Sequence, residues 1–234
     1  MKGVVSLYRT AVGKKAVMAV TGLVLFGFVL VHMLGNLKLY LGTYAEGPHA
    51  GQYVIDVYGE GLRSFGAPFL GHGQFLWLAR FALLAVVGLH MWSAWLVTRQ
   101  SWAARPDGYA VKTYLQADYA SRTMRWGGVI LALYVVFHLA DLTLGVANPG
   151  FQPGAIHRNL VASFSNPLVA GVYVAANVLL GLHLFHGLWS LFQSLGWNNP
   201  KFNPWRRWFA TSFAWIVTLG NVSFPISVLM GWVH

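Results

Sequence analysis

Apolar residues gather in five stretches, over about residues 16–40, 75–98, 126–147, 168–193 and 208–232, with the polar residues confined mainly to the segments between them. Each stretch approaches the length of about 20 residues that a helix needs to cross a hydrocarbon layer about 30 Å thick. The pattern predicts an all-α integral-membrane bundle of five transmembrane helices, folded as one domain over residues 1–234. Several tryptophans (Trp77, Trp92, Trp95, Trp126, Trp189, Trp208 and Trp232) fall near the ends of these stretches, where interfacial aromatic rings are enriched.

Composition agrees with the pattern. Only 9% of the residues are charged and 56% are apolar, whereas an ordinary soluble domain carries about 25% charged residues. A separate soluble catalytic domain has no room in such a chain. The net charge of +10 belongs to insertion topology rather than to nucleic-acid binding, because no basic stripe lies on a soluble surface. Most lysines and arginines fall at the N-terminus and in the 99–125 and 196–207 segments. The opposite side has Lys38, Arg63 and Arg158. Basic loops stay inside, so the N-terminus is expected in the cytoplasm and the C-terminus outside. The first apolar run, preceded by Lys2, Arg9, Lys14 and Lys15, is too long for a signal-peptide core and is expected to remain in the protein. The Gly-rich 41–74 segment, with Glu46, Asp56 and Glu60, is expected to cap the bundle from outside.

The chain has no cysteine, which excludes disulfides, thiolate-ligated iron–sulfur clusters and covalently attached c-type haem within it. Any metal must be held by other side chains. Nine histidines are present, and His32, His90, His138 and His183 fall deep in four different spans. Ionisable residues inside a membrane are rare and tend to be functional, although a lone one also serves as an interhelical hydrogen bond.

Depth separates these readings. At a helical rise of 1.5 Å per residue, His32 lies about 24 Å and His138 about 18 Å from the inner edges of their spans. The second and fourth spans run in the opposite direction, which puts His90 at about 14 Å and His183 at about 15 Å. The four histidines therefore sort into an outer pair, His32 with His138, and an inner pair, His90 with His183. Two layers of two imidazoles suit two bis-histidine haems, whose irons keep no open position and serve electron transfer. A zinc site needs three or four ligands at one depth, which two layers do not supply. Gly27, Gly35, Gly88, Gly128, Gly181 and Gly187 lie near these histidines and offer room for a macrocycle, although glycine also marks plain helix contacts.

His186 stands one turn beyond His183, near the same helix face. It is open as the inner ligand, as a quinone or propionate partner, or as an interfacial histidine. His72 lies on the external side, as do His49 and His157, which read as ordinary loop histidines. Arg80 and Asp141 fall inside the second and third spans at similar outer depth. They form either a structural ion pair or, with His72, part of a quinone site in which Asp141 exchanges protons.

Several segments carry a family resemblance. His32-Met33-Leu34-Gly35-Asn36-Leu37 closes the first span, and Leu62-Arg63 stands in the external segment. Ser121-Arg122-Thr123-Met124-Arg125-Trp126 enters the third span, and His183-Leu184-Phe185-His186-Gly187-Leu188-Trp189 lies in the fourth. On these segments the chain resembles, over nearly its whole length, the cytochrome b membrane subunit of succinate:quinone oxidoreductases and fumarate reductases, of the five-helix, two-haem b558 type. The resemblance implies one haem ligand from each of the first four helices. It selects His183 over His186, because the fourth-span ligand stands four residues before a Gly-Leu-aromatic sequence. It makes Arg63 and Arg122 propionate or quinone-pocket partners. It further implies two haem b groups, a quinone (menaquinone in this type), and placement in a bacterial or archaeal-type cell membrane. The implied partners are a flavoprotein subunit that converts succinate and fumarate and an iron–sulfur subunit on the cytoplasmic face, with no nucleic acid. Some fumarate-reducing relatives carry a glutamate two residues before the fourth-span ligand as part of a proton route; here that residue is Gly181.

The expected function is that of an electron-transfer and quinone-site subunit of such a complex in the tricarboxylic acid cycle, not its dicarboxylate site. Two alternatives are a di-haem cytochrome b of a nitrate reductase or hydrogenase, and a transporter with intramembrane histidines. The transporter would show internal repeats and broken helices, and the sequence has neither.

Overall fold

The computed structural model describes residues 10–104, 119–197 and 199–234, with the side chains of residues 119–123 left out. Five long helices dominate it: α1 (Ala11–Asn36), α4 (Gln74–Ala103), α5 (Tyr119–Leu142), α7 (Pro167–Ser194) and α8 (Asn203–Leu229). All five are long and apolar enough to cross a membrane, α1 together with a 3-10 turn over Leu37–Leu41. Among the described residues there is no strand, only two isolated bridges within the segment that follows α1.

Local chemistry fixes the helix ends. Thr10 caps α1 by accepting the Gly13 N–H at 3.0 Å. Asn166 does the same for α7 by accepting the Leu168 N–H at 3.0 Å, with Pro167 at the first helical position, where its missing N–H costs nothing. The third span stops at Leu142, five residues short of the hydropathy boundary. Gly145 takes φ 76° and packs against the Phe151 ring so closely that no side chain fits there, which folds the chain out of the helix. The fifth span starts earlier than its apolar pattern, at Asn203, because Pro204 opens the helix.

The segments on the C-terminal side are more ordered than their glycine content suggests. The 41–74 segment contains α2 (Val54–Ser64) and α3 (Ala67–Leu70), and a further short helix, α6 (Ile156–Phe164), precedes α7. Leu39, Ile55, Leu160, Phe164, Tyr173, Phe224 and Val228 form one buried cluster that joins α2 and α6 to the ends of the long helices. Hydrogen bonds lock it. Asp56 accepts the His157 N–H at 2.8 Å, and Asn159 pairs with the Gln152 backbone in both directions at 2.8 Å. His157 stacks flat on Tyr53, ring centres 3.5 Å apart.

Packing among the long helices leaves a gap. α1 packs along α4, α7 along α1, α5 along α7, and α8 covers α7 and α1. Four helices thus mark the corners of a quadrilateral with α4 and α7 on one diagonal, α1 and α5 on the other, and no close packing between α4 and α5 among the described residues. Apolar helices gain little hydrophobic drive from one another in lipid, so small residues set the approach distance. Gly181 abuts the Thr218 hydroxyl, and Gly35 faces Tyr58. These two glycines serve helix packing and do not make the room expected of them. Gly27, Gly88, Gly128 and Gly187, in contrast, each border open space.

Replacing Gly181 by Val is expected to force α7 from α8 and cost about 1–3 kcal/mol by overpacking. Gly171→Ala, where nothing lies within 4 Å, is the matched control and is expected to be neutral or stabilising. Thermal denaturation of the detergent-solubilised protein measures both.

Candidate functional site

The four histidines of the spans meet in two pairs. His32 on α1 and His138 on α5 have ring centres 5.9 Å apart at 83°. His90 on α4 and His183 on α7 have ring centres 6.3 Å apart at 67°. These are the pairs that helix depth separates, and each bridges one diagonal of the quadrilateral. A metal–imidazole bond of about 2 Å and about 1 Å more from nitrogen to ring centre, on both sides, amount to about 6 Å. Each pair thus has the spacing for one iron between its rings. Among the described residues, no three or more histidine, cysteine, aspartate or glutamate side chains converge as a metal site.

Hydrogen bonds orient the rings. The His90 Nδ1 lies 3.1 Å from the Met18 carbonyl and 3.2 Å from Thr21 Oγ1, while the Thr21 hydroxyl donates to the Val17 carbonyl at 2.7 Å. The carbonyl needs a donor, so Nδ1 carries hydrogen and Nε2 keeps the lone pair that a metal uses. His138 Nδ1 lies 3.3 Å from the Tyr173 hydroxyl. His183 Nδ1 is buried with no hydrogen-bond partner, an expensive state for a polar atom. The Asn36 amide nitrogen lies 3.3 Å from His32 Nε2, a long contact that a coordinate bond at the same nitrogen would displace. His32 is surrounded by protein yet its surface is accessible, which describes the wall of an open chamber. With the space at Gly27, Gly128 and Gly187, the residues present fit a flat macrocycle at each pair.

His186 turns elsewhere; its Nε2 meets Ser190 Oγ at 3.2 Å, and it is His183 that faces His90. Asp141, only 1% exposed, accepts hydroxyl hydrogens from Ser163 at 2.6 Å and Tyr173 at 2.7 Å. The expected pairing with Arg80 does not form; the Arg80 guanidinium lies over the Trp77 ring, 4.7 Å from its centre. Hydroxyls from α6 and α7 reach the carboxylate first, which makes a cationic partner unnecessary. Arg63 pairs with Glu60 at 3.5 Å, and Glu60 also meets His72 at 2.8 Å. These are the ion pairs found among the described residues, all at the C-terminal-side cap. The Arg122 side chain lies outside the described residues.

Sequence reasoning missed Thr21, Met18 and Tyr173. Tyr173 carried a usable signal, a phenol inside an apolar span, whereas the Met18 carbonyl has no side-chain signature.

Outside the spans, burial pushes the His157 imidazole below its usual value, so it stays neutral in the cap. The hydrogen bond from His72 holds the Glu60 carboxyl below the ordinary carboxylate range.

The fold defines a multi-pass membrane protein with two facing pairs of histidines. Residues 109–222 match the model of a family described as the succinate dehydrogenase/fumarate reductase transmembrane subunit, and the match supports that family for this chain. It takes in His138 and His183, one member of each pair, and leaves out His32 and His90. No curated protein and no solved structure matches.

A depressed carboxyl value stabilises the fold above the ordinary carboxylate range, and the contribution is lost as pH falls through the lower, folded value. The melting-temperature difference between the parent protein and Glu60→Gln is therefore expected to be constant near neutral pH and to vanish in strong acid. A difference that persists undiminished into strong acid would contradict the His72–Glu60 assignment.

Proposed function

We propose that the chain is the di-haem b membrane subunit of a succinate:quinone or fumarate-reducing oxidoreductase, moving electrons between an iron–sulfur subunit and a membrane quinone, menaquinone by the resemblance. The observation that carries this reading is the pair of imidazole pairs at 5.9 Å and 6.3 Å, each bridging one diagonal of the bundle. The partial family match supports the complex; the geometry supports the cofactors. Bound haem supplies one-electron chemistry at a potential set by its surroundings.

The residues of this chain supply the rest. His32 and His138 would hold one group, His90 and His183 the other, each ring presenting a neutral nitrogen lone pair. Met18 and Thr21 fix the His90 tautomer. Two imidazoles at each group would suit electron transfer rather than oxygen binding. The basic segments favour a cytoplasmic N-terminus, which would put the inner pair on the side where the iron–sulfur subunit and the flavoprotein beyond it would dock. Arg63, Arg80 and His72 line the opposite end, near the outer pair, where a quinone headgroup or a propionate meets cationic and proton-donating groups; Asp141 lies deeper.

The purified protein, expressed with ample haem, is expected to show two b-type signals in a reduced-minus-oxidised spectrum. His90→Ala and His183→Ala should each abolish one signal, and His32→Ala and His138→Ala the other. A colourless protein, or a His90→Ala variant with both signals intact, overturns the reading. Co-purification with a flavin-containing subunit separates it from the nitrate reductase and hydrogenase types.

A further inference from the structure

Beyond the two histidine pairs, the bundle contains, among the described residues, one buried carboxylate, that of Asp141. We propose that Tyr173 and Asp141 are positioning residues that hold His138 as an electron-rich ligand and so lower the reduction potential of the outer centre relative to what the imidazoles alone would give. The proposal rests on the paired-histidine reading above.

The geometry runs in one line. Ser163 on α6 and Tyr173 on α7 both donate to Asp141 Oδ2, at 2.6 Å and 2.7 Å, so this oxygen acts as the acceptor of both hydroxyls. The single hydrogen of the Tyr173 hydroxyl is thereby committed. Its oxygen faces His138 Nδ1 at 3.3 Å and is left only the role of acceptor, so Nδ1 donates and Nε2 keeps the lone pair. Tyr173 is itself immobilised, with the Phe164 ring centre 4.8 Å away and that of Tyr134 at 5.3 Å. The carboxyl oxygen that accepts its hydrogen polarises the phenol, the phenol oxygen draws on the Nδ1–H, and the imidazole becomes a stronger donor at Nε2. A stronger donor favours the oxidised metal.

The inner pair has no such support. His90 Nδ1 donates to a neutral carbonyl, that of Met18 at 3.1 Å, and His183 Nδ1 has no partner. Among the described residues, no carboxylate is hydrogen-bonded to either ring. The chain thus builds an electrostatic asymmetry between two otherwise similar pairs, with one carboxylate.

Redox titration of the haem-loaded protein, followed optically at both b-type signals, tests the proposal in Tyr173→Phe and Asp141→Asn. Both variants are expected to keep two signals and to raise the midpoint of one, the signal that His138→Ala abolishes, while the other midpoint stays put. A purely structural role for the two residues would lower haem content or melting temperature without a selective shift. Two retained signals with neither midpoint moved, or with both moved equally, overturn the proposal and leave the paired-histidine reading standing. Should Tyr173→Phe lose its haem, Asp141→Asn decides, because it keeps the shape and leaves the phenol in place. A parent protein that binds no haem overturns the reading and the proposal together.

Discussion

The structure depends on apolar helices that are not allowed to close upon one another. In lipid, helix association gains little from burying apolar surface, so contact geometry is set by where small side chains permit approach. Here Gly181 against Thr218 draws α7 and α8 together, and α1 is gathered against α4 and α7. Among the described residues, the helices on each diagonal of the resulting quadrilateral are not closely packed, and an imidazole pair reaches across each. Four strongly polar rings in an apolar interior need a reason to be there, and two spaced pairs give one.

Much of this was legible from the chain. The spans follow from hydropathy alone, and the pairing of His32 with His138 and of His90 with His183 follows from nothing more than helical rise and alternating direction. Depth is readable because it depends on sequence distance along one helix. What was not readable depends on distances between helices. Arg80 and Asp141 share a depth, yet Asp141 turns to Ser163 and Tyr173 and Arg80 to Trp77, because rotation about a helix axis decides partners and hydropathy does not report it. The helices Val54–Ser64 and Ile156–Phe164 were hidden for a different reason. They are short, flanked by glycines, and held by tertiary contacts such as Asp56 with the His157 backbone, so local pattern carries little of their stability.

Family likeness and geometry contribute different parts of the functional reading. The matched stretch begins after the second span, so it bears on the complex proposed for the chain and on His138 and His183. The other member of each pair comes from the first two spans, where only the fold brings His32 and His90 into place. The two lines of reasoning thus join at the centre of each diagonal, one ring from either side of the match boundary.

Ser163 belongs to the short helix α6, and its hydroxyl is the first member of a chain that continues through Asp141 and Tyr173 to the His138 ring. The same helix is tied to α2 through His157 and Asp56. The cap over the C-terminal end and the imidazole beneath it are thus joined by three successive hydrogen bonds, Ser163 to Asp141, Tyr173 to Asp141 and Tyr173 with His138, so that the fold of a short peripheral helix sets the surroundings of a ring deep in the bundle.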